Sequence, residues 1–328
     1  MTGRIKIFLI ALILSLPIFW GINILEKELR DFFYWREITE NPQLLAAQAN
    51  QLALEQKLRD LKPFRNRSVP DLEIEAKSTI SVLVDGKDKE KVLFEKESNQ
   101  KLPIASLTKL MTAWVVLEHY YDLSKEITIS KLAANQYGDI RKLEEGKTFP
   151  AEYFLYPLLM ESSNGAAFAL ANDYEGMTER DFVQLMSRET EKIGLNDTFF
   201  DNPTGLDPQE SKTEMNYSTA NDLVKFTKKL LEKPLIWEIL SLPRYSLYGP
   251  ELINTNGFLL DGSADWQDRI IGGKTGYTGE AGGCLLLVIK APKAQGFLIN
   301  IILGANGKEN RFEEMKKLVD WLKVAYKW

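Results

Sequence analysis

The chain has 328 residues and a formal net charge of -5, with 45% hydrophobic and 27% charged residues. This balance supports a sizeable hydrophobic core and excludes wholesale disorder, and without a basic excess it argues against nucleic acid as a partner. The single cysteine, Cys284, excludes an intramolecular disulfide and, together with a single histidine, His119, argues against a metal site, so we expect no metal and no cofactor.

The first 25 residues have the pattern of a membrane anchor. Arg4 and Lys6 precede an apolar stretch at 7–25, which is long enough to span a bilayer as a helix. The basic residues on the short N-terminal side favour leaving that end in the cytoplasm and exporting the rest. A cleaved signal peptide is the alternative, but no small-x-small site follows the apolar stretch closely. We therefore expect a single-pass anchor at 1–25 in the cell membrane, with the rest of the chain outside the cytoplasm.

Residues 26–70 have the composition of a helical stalk or linker. The stretch 44–61 is rich in Leu, Ala, Gln, Glu and Lys, which are good helix formers, and it carries an apolar stripe. Pro63 and Pro70 bracket a basic break, which is a typical boundary between a linker and a domain. The sequence therefore predicts a spacer up to residue 70 and a folded domain at 71–328.

The domain has strand patterns at both ends and helical patterns between them. Alternating apolar residues at 80–84, a turn at Asp85-Gly86 and a second strand at 91–95 predict a β-hairpin. Because strands at the two ends of the chain can complete one sheet, the sequence predicts a mixed α/β domain with an antiparallel sheet flanked by helices, plus a helical subdomain. The remaining predicted elements are a buried helix at 106–121, mainly helical structure at 133–233, strands at 270–277, 283–290 and 297–304, and an amphipathic helix at 311–328.

Three short motifs occur in order along the chain: Ser106-Leu107-Thr108-Lys109, Ser162-Ser163-Asn164 and Lys274-Thr275-Gly276. The set S-x-x-K, S-D-N and K-T-G is typical of serine β-lactamases and penicillin-binding proteins, and each motif alone is weak evidence. A second Ser-x-x-Lys match, Ser98 to Lys101, lies in a polar connector where nothing holds the two side chains on one face. The three segments follow that order, with Ser163 in the middle position of the second motif, where the set has Asp.

The first motif can supply a nucleophile and its base. Positions i and i+3 on a helix are neighbours, so the Lys109 amine should lie beside the Ser106 hydroxyl. His119 lies thirteen residues further along the same predicted helix, about 20 Å away, and cannot be the base. A lysine acts as a base only if its pKa is lowered, which burial and a second lysine, Lys274, would both cause. We expect Lys109 to take the Ser106 proton and Ser162 to relay a proton to the leaving amine.

From about Pro70 to its C-terminus the chain resembles the D-alanyl-D-alanine carboxypeptidases, the low-molecular-mass penicillin-binding proteins of serine peptidase family S11. The resemblance implies a β-lactamase/transpeptidase-like fold, cleavage of peptidoglycan stem peptides, and covalent inhibition by β-lactam antibiotics. Many members carry a further β-rich domain and an amphipathic tail, and we expect neither in this chain, with the N-terminal anchor in place of the tail. The segments that carry the resemblance are 102–113, 204–207, 218–223 and 273–278.

The resemblance also implies a role for each site residue. Ser106 would be the nucleophile, Lys109 the general base and Ser162 a proton relay. The backbone N–H groups of Ser106 and Tyr277 would form the oxyanion hole. Arg311 would bind the terminal carboxylate together with Thr275, although a surface arginine is the alternative for this residue. The implied substrate-binding residues are Asn164, Lys274, Thr275, Gly276, Tyr277 and Arg311.

Three other functions stay open. A β-lactamase needs a base for rapid deacylation, such as a glutamate. The nearest candidate segment, at 191–196, has the pattern of a helix that ends at Gly194. A D,D-endopeptidase uses the same residues and differs only in the shape of its groove. A non-catalytic peptidoglycan-binding membrane protein is disfavoured because all three motifs are intact.

Overall fold

A computed structural model describes residues 24–26, 28–30, 32, 49–54, 62–86, 89–120, 122–139, 142–174, 176–208, 214–262, 265–294 and 296–328. The chain divides into two units, Met1–Phe64 with Lys327, and Arg65–Tyr326 with Trp328. In the first unit, residues 49–54 are helical. The predicted anchor at 1–25 lies outside the described residues except for 24–25. Within the described ranges, no helix is long and apolar enough to cross a bilayer.

The second unit is built on a five-stranded antiparallel sheet. Two strands come from the start of the domain, β1 (Ser78–Val84) and β2 (Glu90–Lys96). Three come from its end, β3 (Ile270–Thr278), β4 (Gly282–Lys290) and β5 (Phe297–Ala305). The order is β3-β4-β5-β1-β2, so β5 joins the two halves of the sheet by pairing with β1. The predicted antiparallel sheet from distant segments is therefore confirmed, and β3 lies at its edge.

Helices cover both faces of the sheet and fill the segment between β2 and β3. Every residue of β1 is buried, as expected for a strand covered on both sides. One face packs against α6 and the opposite face against α8, and the two faces belong to separate hydrophobic clusters. The helices are α1 (Thr108–His119), α2 (Lys131–Ala134), α3 (Ala151–Tyr156), α4 (Asn164–Asn172), α5 (Glu179–Ile193), α6 (Ala220–Leu230), α7 (Pro234–Ser241) and α8 (Asn310–Ala325).

Short elements connect these parts. Single turns of 3₁₀ helix occur at Ala105–Leu107, Gly257–Leu259 and Gln267–Arg269, and one turn of π-helix at Pro157–Glu161. Short strands pair as Leu102–Pro103 with Tyr217–Ser218, Glu126–Thr128 with Thr148–Pro150, and Arg244–Tyr245 with Leu252–Ile253; further two-residue strands lie at Phe64–Arg65 and Tyr326–Lys327.

The central helix α1 is the core of the helical subdomain. Its apolar residues point in all directions, and Leu110, Met111 and Val115 are fully buried. A helix that is apolar all round has to lie inside the protein, so its position follows directly from its sequence. The helix is shorter than predicted because a 3₁₀ turn replaces its first residues and Tyr120, with ψ 113°, is already extended. The last helix likewise ends at Ala325 rather than at Trp328.

Candidate active site

The nucleophile and base candidates of the first motif are in contact. Ser106 lies in the 3₁₀ turn Ala105–Leu107, and Lys109 lies in the first turn of α1. The Lys109 Nζ atom is 3.0 Å from the Ser106 Oγ atom, as the i, i+3 spacing predicted. The lysine also donates to the Asn164 Oδ1 atom at 2.7 Å and to the Thr204 carbonyl oxygen at 2.5 Å. These contacts aim the amine at the serine hydroxyl.

The environment of Lys109 lowers its pKa. The side chain is fully buried, and burial disfavours the charged ammonium form, which brings the pKa down to about 7. The negative charge of Asp139 acts in the opposite direction. A substantial fraction of Lys109 is therefore neutral near pH 7, and the neutral amine can accept a proton.

The second motif forms a turn between two helical segments. Ser162 follows the π-helical turn and adopts a left-handed backbone conformation with φ 62°. Non-glycine residues in this region are strained, and such strain is found where a structure has to aim a side chain. The next residue, Ser163, caps α4 by accepting the Ala166 N–H, and Asn164 opens the helix. The strained turn directs Ser162 toward β3, while Asn164 contacts Lys109 from the other side.

The third motif lies on the edge strand β3. The Lys274 Nζ atom donates to the Ser162 Oγ atom at 2.8 Å and to the Thr275 carbonyl oxygen at 3.0 Å. Burial lowers the pKa of Lys274 well below its ordinary value, and the positive charges of Lys109 and Arg311 lower it further. The two lysines therefore flank Ser162 and Asn164, with each amine bonded to a different residue of the turn.

The next residues of β3 pass directly beside the nucleophile. A Cβ atom on Gly276 would lie 2.9 Å from the Ile104 carbonyl oxygen and 3.2 Å from the Ser106 backbone nitrogen. Only glycine lets the strand approach the Ser106 amide this closely. Tyr277 follows with a half-exposed side chain on the cleft wall. This proximity of β3 to the Ser106 amide fits the oxyanion hole expected from the amides of Ser106 and Tyr277.

Arg311 is a buried residue of the site. It lies in the first turn of α8 with 3% of its surface exposed, so the alternative of a surface arginine is wrong. Its Nη1 atom donates to the Gly276 carbonyl oxygen at 2.7 Å, while its Nε atom is buried without a hydrogen-bond partner. On the same wall, the Thr275 hydroxyl donates to the Thr255 hydroxyl at 2.7 Å. A guanidinium and a pair of hydroxyls that line one cleft wall are suited to bind a carboxylate.

These residues open into one cleft with a volume of about 1010 Å³. Among the residues that line it are Ser106, Ser162, Asn164, Thr275, Gly276, Tyr277 and Arg311, and the buried Lys109 and Lys274 bond to residues of this lining. All predicted site residues are thus brought together by the fold.

The residues that were set aside on sequence grounds lie outside the site. The His119 Nε2 atom lies 3.1 Å from the Glu189 Oε1 atom, at the far end of α1. In the second Ser-x-x-Lys match, the Ser98 hydroxyl donates to Glu95, whereas Lys101 pairs with Asp197. The single Cys284 is a buried strand thiol, as predicted.

Four residues of the site were missed. Thr255 and Glu161 line the cleft, and a Glu161 carboxylate oxygen accepts the Ile253 N–H at 3.2 Å. The Thr204 carbonyl oxygen bonds Lys109, and the Asp139 carboxylate accepts bonds from the Ser163–Gly165 turn. Thr204 was quoted only within the segment 204–207, because its contact is made by a backbone atom that the sequence does not reveal. For Thr255 a single hydroxyl carries the contact, and no motif marks it. The predicted end of a helix at Gly194 is confirmed, with Gly194 as the C-cap of α5.

Comparison with known protein families identifies the part of the chain that contains these site residues up to residue 307. A sequence model of the Peptidase_S11 family, described as D-alanyl-D-alanine carboxypeptidase, matches residues 65–307. This match covers most of the chain and includes the three motifs.

Individual relatives agree with this match. The chain is 32% identical over 267 residues to D-alanyl-D-alanine carboxypeptidase DacF of Bacillus subtilis, covering 78% of this chain and 64% of the relative. It is 30% identical over 252 residues to a D-alanyl-D-alanine endopeptidase of Pseudomonas aeruginosa, covering 75% of this chain and 77% of that protein. Penicillin-binding protein D2 of Listeria monocytogenes, solved in a cefotaxime-bound form, superposes with a TM-score of 0.65 at 27% identity, covering 77% of this chain and 99% of that structure.

Proposed function

This chain belongs to the D-alanyl-D-alanine carboxypeptidase family of serine peptidases, and we propose that it removes the terminal D-alanine from peptidoglycan stem pentapeptides. The observation that carries the proposal is the hydrogen bond between the buried Lys109 amine and the Ser106 hydroxyl. A lysine with a pKa of about 7 can activate a serine without a histidine.

Acylation uses the first two motifs. The Ser106 Oγ atom attacks the carbonyl carbon of the penultimate D-alanine while Lys109 accepts the hydroxyl proton. The backbone N–H groups of Ser106 and Tyr277 stabilise the negative charge on the carbonyl oxygen. The C–N bond then breaks and Ser162 donates a proton to the leaving amine. Lys109 passes the proton that it holds to Ser162, which regenerates the Ser162 hydroxyl. D-alanine leaves, and the remaining peptide is esterified to Ser106.

Deacylation reverses these roles. A water molecule attacks the ester carbon, a lysine of the site takes the water proton, and the Ser106 oxygen leaves with a proton. Lys274 supports both steps, since its bond to Ser162 orients the relay hydroxyl. Arg311 and Thr275 bind the terminal carboxylate of the intact substrate, which explains why a buried guanidinium lies on the cleft wall.

The test is D-alanine release from a peptide that ends in D-Ala-D-Ala. The full chain is expected to release one D-alanine per peptide, and the Ser106→Ala variant to release none while keeping the thermal midpoint of the wild type. Because an acyl-enzyme is an intermediate, β-lactams are expected to label the wild type covalently. A folded wild type that releases no D-alanine and is not labelled would contradict the proposal.

A D,D-endopeptidase is the second candidate function. The similarity to the endopeptidase of Pseudomonas aeruginosa is nearly as high as that to the carboxypeptidase of Bacillus subtilis. An endopeptidase cuts the D-alanyl bond of a cross-link with the same nucleophile and base. Digestion of a purified cross-linked peptide dimer, assayed beside the pentapeptide, separates the two functions: cleavage of the dimer alone identifies the endopeptidase.

We also propose that residues 1–25 anchor the chain in the cell membrane, that 26–70 form the stalk, and that 71–328 form the catalytic domain outside the cytoplasm. The apolar stretch at 7–25 behind Arg4 and Lys6 supports this arrangement. Membrane fractionation of the full chain and of a variant that lacks 1–25 tests it, and protease protection of spheroplasts tests the orientation. Wild-type protein in the soluble fraction would contradict the anchor.

A further inference from the structure

The Asp139 carboxylate lies at the centre of a network outside the three motifs. One oxygen accepts the Ser163 hydroxyl at 2.8 Å and the Gly165 backbone N–H at 3.0 Å. The other oxygen accepts the backbone N–H of Asn164. A single side chain thus bonds three consecutive residues of the turn that carries the second motif, although it lies more than twenty residues earlier in the chain.

Gly165 makes this approach possible. A Cβ atom at this position would lie 2.7 Å from the Ala133 carbonyl oxygen and 3.0 Å from an Asp139 carboxylate oxygen. Any larger residue would collide with the Ala133 carbonyl oxygen and would crowd the Asp139 carboxylate at the start of α4. The two residues therefore fit each other, and the fit brings the carboxylate onto the positive end of the helix.

The same segment holds the Asn164 side chain. The Asn164 Nδ2 atom donates to the Tyr137 carbonyl oxygen at 2.6 Å, and its Oδ1 atom accepts from the Lys109 Nζ atom at 2.7 Å. The side-chain amide is therefore fixed between the Asp139 segment and the base. A displacement of this segment would therefore move the Asn164 amide, and with it the Lys109 amine.

We propose that Asp139 is a positioning residue for proton transfer: by bonding Ser163, Asn164 and Gly165 it fixes the Asn164 amide and thereby aims the Lys109 amine at Ser106. Asp139 contacts neither the substrate nor the reacting atoms. This inference rests on the proposed function, because aiming the amine matters only if Lys109 is the base.

The negative charge of Asp139 makes this role measurable. Removing it should change the pH dependence of acylation, which the loss of a purely structural residue would not do. The charged groups around the Lys109 amine are Asp139 from this segment and Lys274 from β3, with Arg311 of α8 acting on Lys274. The negative charge of Asp139 raises the pKa of Lys109, opposing burial. Removing that charge lets the pKa of Lys109 fall further, so the rise of acylation with pH moves to lower pH.

The experiment compares acylation of the full chain by a fluorescent penicillin from pH 5 to 9 in three proteins. Asp139→Asn is expected to slow acylation about 10- to 100-fold, as for a displaced catalytic group, and to shift the midpoint of the pH profile downward. Asp222→Asn is the matched control, because Asp222 also joins two segments, accepting the Asp197 N–H and the Thr198 hydroxyl, but does not line the cleft. It is expected to lower the thermal midpoint and to keep the wild-type pH midpoint.

The Asp139→Glu variant separates the effect of the carboxylate's position from the effect of its charge. It also provides the test if Asp139→Asn does not fold. It keeps the negative charge but moves the carboxylate, so we expect slower acylation with a midpoint close to that of the wild type. Wild-type rates in either folded variant, or a rate loss in Asp139→Asn without a shift of the midpoint, would overturn the inference. An unlabelled wild type would instead reject the proposed function, and the inference with it.

Discussion

The Nζ atom of Lys109 lies 3.0 Å from the Oγ atom of Ser106, and the lysine is completely buried. Burial lowers its pKa to about 7, while the Asp139 charge opposes that shift. Only the neutral amine can take the hydroxyl proton, so acylation should follow the neutral fraction of Lys109.

The first prediction is the pH dependence of acylation. The second-order rate constant for labelling by a fluorescent penicillin is expected to rise with pH, with a midpoint at about 7, and to level off above it. The rate is measured from pH 5 to 9 with protein stability checked at each pH. A midpoint near that of an ordinary lysine, or a flat profile, would show that Lys109 is not the base.

The second prediction concerns stability. In the unfolded chain Lys109 keeps its proton up to about pH 10, whereas the folded state releases it near pH 7, so the buried lysine destabilises the protein most at low pH. Lys109→Met removes this penalty without a large change in volume. The thermal midpoint of Lys109→Met minus that of the wild type is therefore expected to be largest at pH 6 and to decrease towards pH 9. A difference that does not vary with pH would argue against the lowered pKa.

The third prediction concerns the carboxylate of the substrate. Arg311→Leu keeps an apolar buried side chain but removes the guanidinium, and losing a hydrogen bond to a charged group costs about 1.5–3 kcal/mol. We expect kcat/KM for a peptide ending in free D-Ala-D-Ala to fall about 10- to 100-fold. For a peptide ending in D-Ala-D-alaninamide, which lacks the terminal carboxylate, kcat/KM is expected to fall much less. Arg188→Gln, on the exposed face of α5, is the control, and equal losses for both peptides would contradict the role of Arg311.

The fourth prediction concerns the close approach of β3. In Gly276→Ala the new methyl group would meet the Ile104 carbonyl oxygen and the Ser106 amide, so the strand has to move away from the nucleophile. A displacement of about 1 Å at a catalytic group can lower the rate about 100-fold. We expect such a loss of acylation with the fold retained, measured by labelling and circular dichroism. Gly249→Ala, which has open space at its Cβ, should acylate at the wild-type rate.

The parts of the fold that follow from local chemistry were predictable from the sequence. In the sequence, alternating apolar and polar residues beside a turn predict the hairpin of β1 and β2. A helical segment with apolar residues on every side predicts the buried helix α1. The contact of Ser106 with Lys109 follows from helical spacing. Gly276 was predicted as a substrate-binding residue from the resemblance. The structure shows why this position is a glycine: β3 passes too close to the Ser106 amide for a side chain.

The parts that depend on distant segments were not predictable in this way. Asp139 and Thr255 reach the site from loops, where no periodicity relates a residue to its partner. The 3₁₀ turn at Ala105–Leu107 is set by a positive φ at Ala105 and by the packing of β3 against it, which local propensity does not encode. Arg311 was predicted to bind the carboxylate through the resemblance alone, because charged side chains usually lie at the surface. The structure buries it against Gly276.

The most direct test of the central claim is the mass and location of the acyl adduct formed with a penicillin. After incubation, intact-mass spectrometry and peptide mapping are applied to the wild type, to Ser106→Ala and to Ser98→Ala, which removes the serine of the second Ser-x-x-Lys match. The account predicts one adduct per chain, located on Ser106, in the wild type and in Ser98→Ala, and no adduct in Ser106→Ala. An adduct that persists in Ser106→Ala, or that maps to another serine, would contradict it.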